Sequence, residues 1–311
     1  MKKSFLIKKV LLIVIFLQLN FIVLNALENK ILFKINNEIV TTLDIFNQTN
    51  YLKILNPEIG KLNNNEVIEI SKNSIIREKV KKITILKLAN EIKVSDGYMK
   101  KVLISMAKKR GINSLDEYEK FLKNNKVQIE DLKLKISIDS MWNEIIYSKF
   151  NSKVVIDKMK IVREINNNPD RKLLLSEIMF QSSNENEMEI TYKKIINDIN
   201  NNGFKNAALI HSISNSSTVG GDIGWVDIGS LNNTIRKNIS NLKIGEFSKP
   251  ILTPSGFLII KIENIKNIES NTEDLNKKID SLVRLKTNQQ LNQYSNIYFN
   301  KVKKDLIINE L

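Results

Sequence analysis

The stretch Val219-Gly220-Gly221-Asp222-Ile223-Gly224-Trp225 decides the fold of the second half of this chain. It holds three of the ten glycines and one of the two tryptophans in the 311 residues. Because glycine adopts positive φ angles and lets backbones approach closely, the pattern predicts a tight turn that delivers Trp225 into a core. Neither G-x-G-x-x-G nor G-K-[S/T] is present, so the glycines do not indicate a phosphate cradle.

The segments on both sides of this turn alternate between strand and helix patterns. They are a strand over 172–180, helices over 190–199 and 204–212, a serine-rich loop over 214–218, a helix over 231–242, and two strands within 251–262. Strands and helices in this order predict a small α+β sandwich in which the glycine turn forms one corner.

The first half of the chain has a mainly helical pattern. Two short strands over 31–35 and 38–41 flank an Asn-Asn turn, and Thr41-x-x-Asp44 is a capping box that predicts a helix toward residue 55. Apolar residues then recur at helical spacing over 66–92 and 127–150, with shorter helices between them, one of which we expect to bury Tyr98. A further long amphipathic helix is predicted from 272 to about 308.

Two resemblances emerge from these segments. The strand pair with Asn36–Val40, the Thr-capped helix, Ile92–Asp96 and Gly111–Tyr118 stand in an order that resembles the N-terminal chaperone domain of the SurA family. The second half resembles the parvulin-type peptidyl-prolyl isomerase domain in four blocks. These are Gly203-Phe204-x-x-x-Ala208-x-x-x-Ser212, Gly220–Trp225, Leu242-x-x-Gly245-Glu246-x-Ser248-x-Pro250 and Thr253-x-x-Gly256-Phe257-x-Ile259-Ile260.

The resemblances imply an α+β fold with a helical SurA-N-like chaperone domain and a small parvulin-like α/β sandwich domain, closed by a long C-terminal helix. The expected division begins with a signal peptide over 1–26, which the N-terminal residues themselves indicate. The resemblances imply the helical domain over 27–168, the parvulin-like domain over 172–265, and a helix over 267–311 that packs back on the first domain.

The parvulin resemblance also implies a site. Rotation about an X-Pro amide crosses a barrier of ~18–20 kcal/mol, which a catalyst lowers by holding the proline in an apolar cup and favouring the twisted amide. In parvulins that cup comes from a Met and a Phe after the glycine turn, whose positions fall on Leu231 and Ile235; Phe257 is a candidate third wall. An ordinary core stripe is the plainer interpretation of the two helix positions.

The family's polar residues are replaced in this sequence. Its two histidine positions fall on Glu177 and Leu258, and its Asp or Cys position falls near Ser214. The resemblance therefore implies a domain whose polar network is lost and whose isomerase activity is weak or absent. A lone carboxylate such as Glu177 is more often paired structurally, here with Ser212 or Ser214, than catalytic.

Composition limits the cofactors and the partners. The chain has no cysteine and a single histidine, His211, which argues against disulfides, thiolate chemistry and zinc, so we expect no cofactor. A structural role is the more common one for such a histidine. The net charge of +14 attracts polyanions, but the lysines are spread evenly among acidic residues. We expect weak contact with anionic membrane surfaces and no specific nucleic acid.

The N-terminus has the layout of an export signal. Met1–Lys9 is basic, Val10–Leu24 is apolar, and cleavage is expected after Ala26. The apolar run is shorter than the ~20 residues that span a bilayer comfortably, although an uncleaved anchor is the alternative. Either way the protein is expected in the periplasm.

Together these patterns predict an exported chaperone that holds unfolded or partly folded polypeptides, with outer-membrane β-barrel precursors as the expected clients. Two alternatives stay open. One is an active peptidyl-prolyl isomerase, and the other is a basic protein that associates with membranes or nucleic acid.

Overall fold

The computed structural model describes residues 29–167, 171–267 and 275–310. The predicted signal peptide lies outside the described residues. So do the short segments at 168–170 and 268–274, and the predicted end of the helical domain at residue 168 falls on the first of them.

The N-terminal hairpin is completed by the C-terminus of the chain. Strands β1 (Ile31–Ile35) and β2 (Glu38–Thr41) pair antiparallel, and β7 (Ile308–Glu310) pairs antiparallel with the other edge of β1. The first helix, α1 (Thr42–Leu55), begins where predicted because the Thr41 hydroxyl accepts from the Asp44 N–H and the Asp44 carboxylate accepts from the Thr41 N–H. The three-stranded sheet therefore joins the two ends of the described chain.

Five further helices complete the N-terminal helical unit. They are α2 (Asn64–Leu86), α3 (Asp96–Lys108), α4 (Leu115–Asn124), α5 (Ile129–Phe150) and α6 (Lys158–Asn167). Trp142 of α5 is fully buried, and its indole N–H donates to the Ser295 hydroxyl at 2.8 Å. Ser295 belongs to the 30-residue helix α10 (Leu275–Lys304), so the long C-terminal helix packs directly against α5.

The second unit is built on an antiparallel sheet of order β4-β3-β6-β5. Its strands are β3 (Arg171–Phe180), β4 (Asp222–Asp227), β5 (Ile251–Thr253) and β6 (Gly256–Asn267), and its helices are α7 (Glu185–Asn202), α8 (Phe204–His211) and α9 (Asn233–Ile239). Helices α7 and α8 pack on one face of the sheet, around Ile178, Phe180 and Ile259. Helix α9 packs on the other face, around Met179 and Leu258. We call these the α7–α8 face and the α9 face.

Three predicted helices are shorter than expected. Helix α10 ends at Lys304 rather than near residue 308, because Ile308–Glu310 pairs with β1 as strand β7. Helix α2 ends at Leu86 rather than near residue 92, because the chain turns there and places Ala89 and Ile92 against the cluster around Trp142. Helix α9 begins at Asn233 rather than at Leu231, because the Asn232 side chain accepts from the Ile235 N–H at 2.8 Å and caps the helix. Leu231 is therefore extended backbone just before the helix.

The expectations that Trp225 and Tyr98 are buried are wrong. Trp225 is 46% exposed, because neighbouring residues of a strand point to opposite faces and it is Val226 that enters the core. Tyr98 is 44% exposed in the first turn of α3, where Ser95 caps the helix and the buried positions are Leu103 and Ala107.

Candidate functional site

The residues of the predicted cup do not meet at one surface. Leu231 is buried in the same cluster as Met179 and Leu258 on the α9 face, and Ile235 packs against that cluster. Phe257 lies on the α7–α8 face, where its ring stacks on Phe180 at a centroid distance of 5.5 Å. The sheet therefore separates Phe257 from the other two predicted cup residues.

Glu177 lies on the α9 face and is held by a chain of serine hydroxyls. The Ser216 hydroxyl donates to the Glu177 carboxylate at 2.8 Å, Ser214 and Ser216 share a bond of 2.6 Å, and Ser212 and Ser214 share one of 3.0 Å. The chain ends at the backbone, where the Met179 N–H donates to the Ser212 hydroxyl at 3.0 Å. Burial raises the pKa of Glu177, and the bonds from Ser216 and Ser214 oppose that shift.

This serine chain changes the interpretation of the substituted family positions. The predicted partners Ser212 and Ser214 belong to this chain of hydroxyls. The chain also includes Ser216, which bonds to the Glu177 carboxylate and which the sequence argument did not single out. The polar network that we expected to be lost is thus replaced by one of hydroxyls around a single carboxyl group. The other histidine position, Leu258, is 5% exposed in the apolar cluster and offers no polar atom.

A buried arginine of the helical unit fixes the serine loop in place. Arg77 of α2 donates to the backbone oxygens of Ser214 at 2.8 Å and Ser212 at 3.0 Å, and also to the Ser217 hydroxyl. Burial lowers the pKa of Arg77 to about 10, with nearby Asp139 acting in the opposite direction, so the side chain stays charged at neutral pH. Sequence reasoning missed this residue, although Arg77 is the one arginine in a helix whose other basic residues are four lysines.

A polar cleft opens beside this arginine, between α1, α2, α5 and the serine loop. Its volume is about 210 Å³. Two ion pairs line it, Lys81 with Asp139 at 2.7 Å and Lys135 with Glu78. Because these walls are charged, the cleft is not suited to binding apolar peptide segments.

Exposed apolar side chains occur instead on the outer surface of the helical unit. The most exposed follow α5: Val155 is 77% exposed and Met159 71% exposed, and Tyr147 near the end of α5 is 55% exposed. In the parvulin-like unit, Leu252 of β5 is 72% exposed. Such side chains are available for low-specificity contacts with apolar segments.

The remaining titratable groups give no sign of a metal site. His211 bonds through Nε2 to the carboxylate of Asp198, which links α8 to α7. Across the described ranges, no group of three or more His, Cys, Asp or Glu side chains is arranged to hold a metal ion. None of the helices in the described part of the chain combines the length and hydrophobicity needed to cross a bilayer.

Comparisons with known proteins agree with this architecture. The PPIC-type PPIase domain (Rotamase) family matches residues 173–264. Chaperone SurA of Pseudomonas putida is 22% identical over 198 residues, which cover 58% of this chain and 45% of that protein. Chaperone SurA of Chromobacterium violaceum is 30% identical over 87 residues, or 28% of this chain and 20% of that protein.

The chain thus spans less than half the length of these two curated relatives. A solved SurA-like chaperone from Campylobacter jejuni covers 91% of this chain and 99% of that chain at 15% identity, with a TM-score of 0.38. Because this TM-score is low, the relationship rests on the sequence matches alone. On those matches, the chain is SurA-like and contains a parvulin domain of the PPIC type over residues 173–264.

Proposed function

We propose that this protein is an exported, periplasmic chaperone that binds unfolded or partly folded polypeptides, and that its parvulin-type domain is weakly active or inactive as an isomerase. The proposal of weak or absent isomerase activity rests on the burial of the α9 face. Leu231, at the position of the family's cup, is 4% exposed, and Leu258, at a histidine position, is 5% exposed. A proline ring has no open apolar cup there.

Two observations support the chaperone part. The match to the P. putida chaperone covers 58% of the chain and so extends well beyond the parvulin-type domain into the helical residues. The helical unit also exposes Tyr147, Val155 and Met159, which are large apolar side chains near one another in sequence. Contacts of this kind suit clients that share no sequence, and we take outer-membrane β-barrel precursors as the client class.

Aggregation of an unfolded client tests the chaperone proposal. A urea-unfolded β-barrel protein is diluted into buffer with and without the purified chain from residue 27 onward, and light scattering is followed. We expect suppression at near-stoichiometric amounts, weakened in a Val155→Ser/Met159→Ser double variant. Leu252→Ser is the matched control, because it removes an equally exposed apolar side chain from the other unit. Scattering that the chain leaves unchanged would exclude the proposal.

An active isomerase is the second candidate, and the Glu177 carboxyl group favours it. This group remains on the α9 face and is bonded to a relay of serine hydroxyls. A proline-peptide isomerisation assay separates the two candidates. A rate above background that falls in Glu177→Ala and in Leu231→Ala would support catalysis, whereas a background rate agrees with an inactive domain.

A further inference from the structure

The polar cleft beside Arg77 has an excess of positive charge on its walls. Three cationic side chains and two carboxylates line it. Lys81 pairs with Asp139 at 2.7 Å and Lys135 pairs with Glu78, so each carboxylate is matched by a lysine. The third cation is the Arg77 guanidinium group, which forms no ion pair with any carboxylate of the described residues. The cleft therefore carries one positive charge without a counter-charge.

The hydrogen-bond partners of Arg77 are polar but neutral. Nη1 donates to the Ser214 backbone oxygen and to the Ser217 hydroxyl, and Nη2 donates to the Ser212 backbone oxygen. A guanidinium group has five N–H donors, so the Nε donor and one donor on Nη2 have no partner within the described residues. These two donors are on neighbouring nitrogens, which is the arrangement that a carboxylate accepts from arginine in a bidentate pair.

Desolvation makes the missing counter-charge costly. Burial lowers the pKa of Arg77 to about 10, and the nearby Asp139 opposes that shift. The Asp139 carboxylate does not neutralise the arginine, because it is already bonded to Lys81 and its side chain is 65% exposed. Charged groups that are removed from water are normally paired, and attraction between charges is stronger where water is excluded. An anion that enters the cleft beside Arg77 would supply the missing pair.

The other walls of the cleft favour a small ligand with a single negative charge. The volume of about 210 Å³ is below the ~300–1,000 Å³ of pockets for drug-sized ligands. The carboxylates of Glu78 and Asp139 would repel a second negative charge. Tyr51 and Asn143 also line the cleft, and neither the Tyr51 hydroxyl nor the Asn143 amide has a hydrogen-bond partner among the described residues. Burial and the two carboxylates raise the pKa of Tyr51, so its phenol stays an O–H donor.

We propose that the cleft binds a monocarboxylate, whose two oxygens accept from the free Nε and Nη2 donors of Arg77 while the Tyr51 hydroxyl and the Asn143 amide also donate to it. Two sources carry such a group, the C-terminus of a polypeptide and a free small acid. The inference goes beyond the proposed chaperone function, because the contacts proposed there are apolar and lie on the outer surface of the helical unit.

Calorimetric titration with sodium propionate tests the site, at constant ionic strength and on the purified chain from residue 27 onward. We expect saturable binding at one site and no binding of the uncharged propionamide. Asn215→Asp places a carboxylate on the cleft wall and should raise the Kd several-fold, because it repels the ligand and supplies Arg77 with a counter-charge. Asn201→Asp makes the same charge change at an exposed position outside the cleft and should leave the Kd unchanged.

A second pair of variants removes a donor instead of adding a charge. Tyr51→Phe keeps the ring, which packs against the clusters around Leu52 and Ile54, but it loses the hydroxyl, so the Kd should rise several-fold. Tyr147→Phe is the matched control, since Tyr147 is 55% exposed and lies outside the cleft. This pair decides the question if Asn215→Asp does not fold, as judged by its melting curve.

Peptides separate the two sources of the carboxylate. Acetylated tri-alanine with a free C-terminus and the same peptide with an amidated C-terminus are titrated under the same conditions. Tighter binding of the free peptide than of propionate, lost in the amide, would support the site as one for polypeptide C-termini, whereas tighter binding of propionate would support a small acid. Absence of saturable binding by both probes would overturn the inference. So would phosphate binding more tightly than propionate, or a Kd that is the same in each variant and its control.

Discussion

Replacement of Arg77 by alanine tests how the two units are held together. This one side chain reaches from α2 to the backbone oxygens of Ser212 and Ser214 and to the Ser217 hydroxyl. The serine loop that it fixes also carries the hydroxyls around Glu177. In Arg77→Ala the two backbone oxygens lose a charged donor in a buried place, so we expect the loop and its contact with α2 to loosen.

The expected cost follows from the bonds and from the burial of the charge. A hydrogen bond to a charged group contributes about 1.5–3 kcal/mol net, so three independent bonds would give at most ~9 kcal/mol. The true loss is smaller, because bonds that share one side chain are not additive and because the variant no longer buries a charge whose desolvation already lowers its pKa. We expect Arg77→Ala to reduce the free energy of unfolding by ~3 kcal/mol, comparable to the breaking of a buried pair.

Urea unfolding followed by tryptophan fluorescence measures this loss. With an m-value of ~3 kcal/mol/M, the expected cost lowers the midpoint by ~1 M. Trp142 reports the helical unit and Trp225 the parvulin-type domain, so single-tryptophan backgrounds show whether the units uncouple. Arg284→Ala, at an exposed position of α10, is the control. A midpoint for Arg77→Ala that equals that of Arg284→Ala would refute the reasoning that the arginine joins the units.

Four further substitutions probe the site and its supports. Glu177→Gln should flatten the pH dependence of the free energy of unfolding. Burial raises the folded pKa of Glu177 above its unfolded value near 4.5, so the wild-type protein is most stable below that value and loses stability as pH rises through the folded pKa. Melting curves recorded at several pH values should show no such loss in the variant. Gly224→Ala should cost ~1–2 kcal/mol, because its φ of +77° strains an alanine in otherwise open space. Gly221→Ala should melt lower still, since its Cβ would also meet the backbone oxygen of Glu177; equal melting temperatures for the two variants would contradict the contact. Ser295→Ala should cost ~1–3 kcal/mol in chemical denaturation by leaving the buried Trp142 N–H unpaired, and no loss would mean that the indole finds another acceptor.

The local parts of the fold were accessible from the sequence because their causes are local. The Thr41–Asp44 capping box fixes the start of α1, and the largely apolar run over 172–180 predicts a strand that the structure extends over Arg171–Phe180. The glycine turn also falls where expected. Gly220 and Gly221 both adopt positive φ, and Gly221 lies too close to the backbone of Glu177 for any side chain.

The parts that were missed depend on contacts between distant residues. Strand β7 is three residues long and has no strand signal of its own; it exists because Ile308 and its neighbours complete the edge of β1. The exposure of Trp225 follows from which side of β4 meets the core, and periodicity cannot assign that side when Val226 beside it is also apolar. The role of Arg77 could not be predicted for the same reason, since its hydrogen-bond partners lie more than 130 residues away in the sequence.

The candidate site shows why a family motif alone does not decide activity. The motif fixes Gly221 and the path of the chain to Leu231, and these features follow from backbone geometry that the sequence encodes locally. Whether a peptide can reach Leu231 depends instead on how the whole domain packs, and Leu231 is buried in the cluster that also holds Met179 and Leu258. The family's two histidine positions hold Glu177 and Leu258, so the proposed weak activity rests on replaced polar groups and on a closed cup. These two causes differ in consequence. Binding of a peptide at this face would require only that the cup opens, whereas catalysis would also require the polar groups that the substitutions replaced.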